Sequence, residues 1–261
     1  MSVARKHLVR GLGLLLLVAL AGVIGFVIWG SVPLPPSAEA LAAMEPDAAV
    51  VVEGEPWITF RPAEGLPTAG LILYPGGRVD PRAYAPLARS VAARGFEVVV
   101  VPMPLNLAVF ASGRATDVIA ANPSVTIWAV GGHSLGGAMA ANFASGHVDA
   151  VSGLVLWAAY PASADDLSGR NDLAVLSVYA TLDGLMTDEE RAISRGLLPQ
   201  GTCWVAIEGG NHAQFGAYGV QRGDNPAAIS AAFQHAQIVD ATAAFLQALA
   251  DVANGGRPVC P

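Results

Sequence analysis

Residues 125–140 read Val-Thr-Ile-Trp-Ala-Val-Gly-Gly-His-Ser-Leu-Gly-Gly-Ala-Met-Ala, and no other stretch restricts the possible folds as much. An apolar, β-branched run with the character of a buried strand passes through G-x-S-x-G. It continues into small residues suited to a closely packed helix. In so tight a strand–turn–helix elbow, side chains at Gly132 and Gly136 would collide with neighbouring backbone, so glycine is required there. Ser134 occupies the apex in a strained conformation, its hydroxyl standing proud of the sheet. Alone the motif is weak, because a chain with 29 glycines in 261 residues can produce it by chance as a plain turn. Its weight depends on what accompanies it.

From Ala48 onward strand-like and helix-like runs alternate. Val50–Val52 and Trp57–Phe60 read as an opening antiparallel hairpin, and Gly70–Tyr74 as a buried strand ended by Pro75-Gly76-Gly77. Pro81–Arg94 reads as an amphipathic helix capped by Asp80 and stopped by Gly95. Further strands are expected at Glu97–Val101, Gly153–Ala158, Ala174–Tyr179 and Thr202–Ile207. Further helices are expected at Leu107–Ala121, from the elbow to Gly146, at Asp188–Leu197, and at Pro226–Val252 with proline in its first turn. Such alternation predicts an α/β fold, a mostly parallel central sheet with helices on both faces. Sites in such sheets form at the carboxyl ends of the strands.

A serine at the apex becomes a nucleophile only when a base takes its proton and an acid orients the base. In an α/β sheet of this kind the acid and then the base follow the serine in sequence. Of the five histidines, His7 precedes the apolar N-terminal run, His133 is inside the elbow, and His147 and His235 sit on helical patterns. His212, in Glu208-Gly209-Gly210-Asn211-His212, follows the last strand and is the candidate base. Asp183, in Ala180-Thr181-Leu182-Asp183-Gly184, leaves the Ala174 strand and is the candidate acid, although an Asp-Gly turn is the plainer reading. Asp165, Asp166 and Asp172 precede that strand, and Glu208 lies too near His212 to face its ring. An oxyanion would need two backbone donors, assigned to the amides of Leu135 and Gly77. Arg78 and Tyr84 either flank the mouth or serve surface and packing roles.

The N-terminus sets a second constraint. Gly11–Trp29 carries no charge, follows Arg5, Lys6 and Arg10, and precedes the next basic residue, Arg61, by a long interval. Its length matches a bilayer, and the charge bias keeps the N-terminus cytoplasmic. Residues 1–30 are therefore read as a single transmembrane anchor and 31–47 as a Pro- and Ala-rich linker. Residues 48–261 form one α/β domain outside the membrane, and the linker is expected to hold that domain off the membrane surface. A cleaved signal sequence, giving a secreted protein, and a buried core helix are the alternatives. Of 14 Lys and Arg, three precede the apolar run, leaving 11 against 21 Asp and Glu, a balance of −10. That charge argues against nucleic acid as a partner. Outside the cytosol, the two cysteines, Cys203 and Cys260, are expected to pair. The bridge would contribute about 4 kcal/mol in the chain-entropy model.

Tyr74-Pro75-Gly76-Gly77-Arg78-Val79-Asp80-Pro81-Arg82-Ala83-Tyr84, Gly131-Gly132-His133-Ser134-Leu135-Gly136-Gly137, Thr181-Leu182-Asp183-Gly184 and Gly209-Gly210-Asn211-His212 together resemble the α/β-hydrolase superfamily. The similarity is greatest to its compact, lidless, dienelactone-hydrolase-like branch. It implies an eight-stranded sheet with an antiparallel second strand, Ser134 as nucleophile, Asp183 as orienting acid and His212 as base. One departure is that dienelactone hydrolase uses a cysteine nucleophile, so its substrate does not carry over. The expectation is a serine hydrolase of carboxylic esters or related small acyl substrates, with no metal or organic cofactor implied. An acyltransferase or thioesterase with the same residues is the alternative within enzymes, and a non-catalytic binding domain the alternative outside them. Oligomeric state is left open by the sequence.

Overall fold

The computed structural model describes residues 3–253 and 260. Val3–Ser31 forms helix α1. Within it Gly11–Ser31, 21 residues, is long and apolar enough to cross a membrane, and it is exposed along most of its length, with Gly30 near its end buried. Ala38–Ala42 forms α2, capped by the Ser37 hydroxyl, which accepts from the Ala40 amide at 3.1 Å.

The segment around α2 is no free spacer, which corrects the expectation that it holds the domain off the membrane. Leu34 bridges to Val79, donating to the Arg78 carbonyl at 2.6 Å and accepting from the Asp80 amide at 3.0 Å. Ala40 is fully buried, and Arg89 pairs with Asp47 while donating to the carbonyls of Ala43 and Glu45. Apolar side chains and backbone groups in this strap gain more from docking than from hydration.

The remaining elements are β1 (Val50–Glu53), β2 (Ile58–Pro62), β3 (Gly70–Tyr74), α3 (Ala85–Ala92), β4 (Glu97–Val100), α4 (Ala115–Ala121) and β5 (Trp128–His133). They continue with α5 (Leu135–Gly146), β6 (Gly153–Trp157), β7 (Ala174–Ala180), α6 (Asp188–Gly196), β8 (Cys203–Ile207) and α7 (Ala231–Ala253). One sheet of eight strands runs in the order β1-β2-β4-β3-β5-β6-β7-β8. β2 is antiparallel to both neighbours, and every pairing from β4 to β8 is parallel. All positions of β3, β4, β5 and β6 are buried, as strands covered on both faces must be; their sequences accordingly read as apolar runs. Leu71, Leu73 and Val155 face α3 and α7, whereas Ile72, Val130 and Leu154 face α4 and α5.

Three expected helices are shorter than their patterns. Pro81–Arg94 is α-helical only over Ala85–Ala92, because Pro81–Tyr84 forms a 3-10 turn capped by Asp80. Leu107–Ala121 is helical only from Ala115, preceded by short 3-10 turns. The cause is Tyr74, whose hydroxyl donates to the Ser112 carbonyl at 2.6 Å and accepts from the Ala115 amide at 2.8 Å, starting the helix there. The closing helix begins at Ala231, not Pro226, with the Ser230 hydroxyl accepting from the Phe233 amide. The preceding backbone is diverted to the His212 loop, where the Ala228 amide donates to the Gly209 carbonyl at 2.7 Å. Cys203, on the edge strand β8, is joined to Cys260, tying the chain beyond α7 back to the sheet.

Candidate active site

β3 and β5 lie side by side at the centre of the sheet, and their carboxyl ends carry the loops of interest. At the end of β5, Ser134 holds φ 52° and ψ −124°, a strained conformation for a residue with a side chain. Backbone contact imposes it. A Cβ on Gly136 would lie 2.1 Å from the Tyr74 carbonyl oxygen, and one on Gly132 would lie 2.4 Å from the Gly136 carbonyl carbon. The Ser134 amide donates to the Trp157 carbonyl at 3.0 Å, pinning the turn to β6.

Asp183 leaves β7 and His212 follows β8, and the structure brings them together. His212 Nδ1 lies 2.8 Å from Asp183 Oδ2, with both side chains almost wholly buried. The other carboxylate oxygen accepts from the amides of Leu185 and Met186, each at 2.8 Å. A carboxylate so placed selects the tautomer with the proton on Nδ1 and leaves Nε2 as the basic nitrogen. Nε2 is buried and has no hydrogen-bond partner among the described residues. The His212 ring lies 4.6 Å from the ring of His133, the residue before Ser134. The hydroxyl of Ser134 is itself engaged in no hydrogen bond among the described residues, so the Ser134–His212 bond is the one link of the expected set not made.

The competing acids are otherwise occupied. Asp165 accepts from Asn142 and Ser145, Asp172 pairs with Arg170, and Glu208 faces Thr181. Among the described residues no group of three or more His, Cys, Asp or Glu side chains is arranged to hold a metal ion.

Leu135 is the first residue of α5, so its amide has no acceptor within the helix. Gly77 faces it: a Cβ there would meet the Leu135 side chain at 3.2 Å, and the Gly77 amide makes no hydrogen bond among the described residues. Gly76 serves differently from the expectation that the loop glycines let backbone approach a substrate. Its amide donates to the Tyr84 hydroxyl at 2.8 Å, and a Cβ on it would strike His133 Nδ1 at 2.8 Å. Tyr84 is fully buried, which settles its packing role, and its hydroxyl is hydrogen-bonded to His133 Nδ1 at 2.8 Å. Burial raises the tyrosine hydroxyl well above its usual range. Burial, and then the neighbouring His212, hold His133 well below the usual histidine range. The imidazole inside the elbow is therefore neutral.

Several supports of the site escape a reading of residue types. Asp224 accepts from the amides of Gly184 at 3.0 Å and Asn225 at 2.9 Å through one oxygen, and from Ala213 at 2.8 Å through the other. It thereby joins the acid loop to the base loop. Gln234, fully buried on α7, grips the peptide group of Asn211 from both sides, at 3.0 and 2.8 Å. Asp224 sits among turn formers and gives no signal. Gln234 does give one: a polar residue at a core-facing position, one turn before Ile238. Arg78, with φ 57°, turns away from the mouth and donates to the carbonyls of Trp29 and Val32 at the end of α1.

This fold and constellation define an α/β hydrolase. A family model described as the alpha/beta hydrolase family matches residues 70–236, well over half of the chain, and the chain belongs to that family. No curated protein matches it. Its fold is shared with a dienelactone-hydrolase-like promiscuous phosphotriesterase from metagenomic libraries, at 18% identity and TM-score 0.53 over 74% of this chain and 92% of that one. It is also shared with a predicted CIB-like hydrolase from Thermoplasma acidophilum, at 15% identity and TM-score 0.54 over 77% and 99% of the two chains. The esterase domain of a Rhodothermus marinus protein aligns at 15% identity and TM-score 0.50 over 60% and 83%.

Proposed function

We propose that the protein is a serine hydrolase that cleaves a carboxylic ester or related acyl substrate through an acyl-enzyme on Ser134. The observation that carries this reading is the buried Asp183–His212 pair, whose remaining nitrogen is unpartnered beside the elbow. Ser134 Oγ attacks the carbonyl carbon as His212 Nε2 takes its proton, and the carbonyl oxygen becomes an oxyanion held by the amides of Gly77 and Leu135. Asp183 stabilises the imidazolium. Collapse of the tetrahedral intermediate breaks the ester C–O bond, and His212 returns the proton to the departing alcohol. Water, deprotonated by the same nitrogen, then attacks the acyl-enzyme and releases the acid with Ser134 restored.

The protein is further proposed to be anchored by α1 with its catalytic part on the extracytoplasmic side. The basic residues before the helix and the Cys203–Cys260 bond both support that side. A fluorophosphonate probe tests the chemistry. We expect one adduct on the folded protein, mapped to Ser134, and none on Ser134→Ala, which should lose esterase activity by about 10⁵-fold or more with its melting temperature unchanged. An unmodified intact mass after treatment of folded wild type would reject the serine as nucleophile.

A further inference from the structure

Helix α1 ends against the catalytic part rather than clear of it. Phe26 meets Phe110 edge-on at 6.2 Å between ring centres, and Asn106 donates to the Gly30 carbonyl at 2.9 Å. The Arg78 guanidinium lies 4.4 Å over the Trp29 ring. Phe26 is five residues from the helix end, which at 1.5 Å per residue puts it about 7–8 Å inside the apolar span. Phe110 lies one ring contact from it.

The loop that carries Phe110 also shapes the proposed oxyanion site. The Asn106 carbonyl accepts from the Arg78 amide at 2.8 Å, and the Leu107 side chain reaches to 3.7 Å of where a Gly77 Cβ would stand. Leu105 and Asn106 take φ of 52° and 54°, turning the loop between these two duties. Its tip presents Val109 and Phe110, each 53% exposed, and Trp29 and Val32 at the end of α1 are exposed as well. Exposed apolar side chains thus extend from α1 through Phe26 and Phe110 to the loop that packs on Gly77.

We propose that Val109 and Phe110 seat in the bilayer that holds α1, and that the substrate is an amphiphilic long-chain acyl ester resident in that bilayer. Its ester reaches Ser134 at the interface while its chain stays on the hydrocarbon side. A site bathed in water would have to extract the chain first, at a cost that grows with each methylene. This proposal rests on the serine-hydrolase reading and on α1 spanning the bilayer.

The test uses the full chain reconstituted in phosphatidylcholine–phosphatidylglycerol vesicles, assayed with soluble nitrophenyl acetate and with nitrophenyl palmitate dissolved in the vesicles. For Val109→Ser/Phe110→Ser we expect the palmitate-to-acetate ratio of kcat/KM to fall by about tenfold or more, with acetate turnover and probe labelling unchanged. An unchanged ratio overturns the proposal. Phe110→Trp gives an independent readout, with extra indole fluorescence quenched by brominated phosphatidylcholine. No added quenching would also overturn it. Wild type that takes no probe and turns over neither ester would fail the hydrolase reading itself.

Discussion

The two halves of the site are held by different physics. The serine half is fixed by backbone pressed against backbone, with Gly132 and Gly136 leaving no space for a single carbon. The acid–base half hangs on main-chain amides of two loops donating to Asp183 and Asp224, and on Gln234, which accepts from and donates to Asn211. Steric contact of the first kind either fits or fails. A polar mesh loosens one bond at a time.

The largest contrast is expected from Gly136→Ala. Its Cβ has only rigid backbone to push against, so we expect a loss above about 3 kcal/mol, or no folded protein, in thermal unfolding. A folded and active Gly136→Ala enzyme would break the contrast. Asp183→Asn sharpens it from the other side: kcat should fall about 10⁴-fold because the tautomer is lost, while probe-free protein melts close to wild type. Asp224→Ala should do less, lowering kcat by about ten- to a hundredfold as the loops shift and destabilising by about 1–3 kcal/mol for the stranded amides. Esterase assays paired with calorimetry read both numbers.

The smallest effect is a pH dependence of stability, with one contributor in each half. Burial lowers His133 in the elbow and His235 on α7 beneath the base loop. A histidine whose folded value lies below its unfolded value of about 6.5 binds fewer protons when folded, so its stabilisation is complete above that pH and is lost as pH falls below it. We expect the unfolding free energy to decline below pH 6.5, by up to about 1.4 kcal/mol per pH unit for each histidine, with a matching fall in melting temperature. His235→Gln should flatten that slope, and an unaltered slope would remove α7 from the account.

What the sequence disclosed follows the same division. The elbow was legible because steric exclusion dictates residue types at fixed spacing, and the strands because two-sided burial makes apolar runs. Asp183 and His212 were legible by position, each at the exit of a recognisable strand. The mesh was not, since Asp224 looks like any turn residue until the fold brings Gly184 and Ala213 to it. Nor was the strap at Leu34–Asp47, whose prolines suggest a spacer although its carbonyls find Arg89. The early stop of the 107–121 helix was hidden as well, because a tyrosine far back in sequence sets it.

Asp224 has a further consequence. With one oxygen on the Gly184 amide and the other on that of Ala213, it makes the two loops a single plate. A bulky substrate that presses on either loop displaces imidazole and carboxylate in concert, preserving the proton's hold between them. On the proposed mechanism, selectivity would then reside in how near that plate comes to the serine, not in how strong a base it carries.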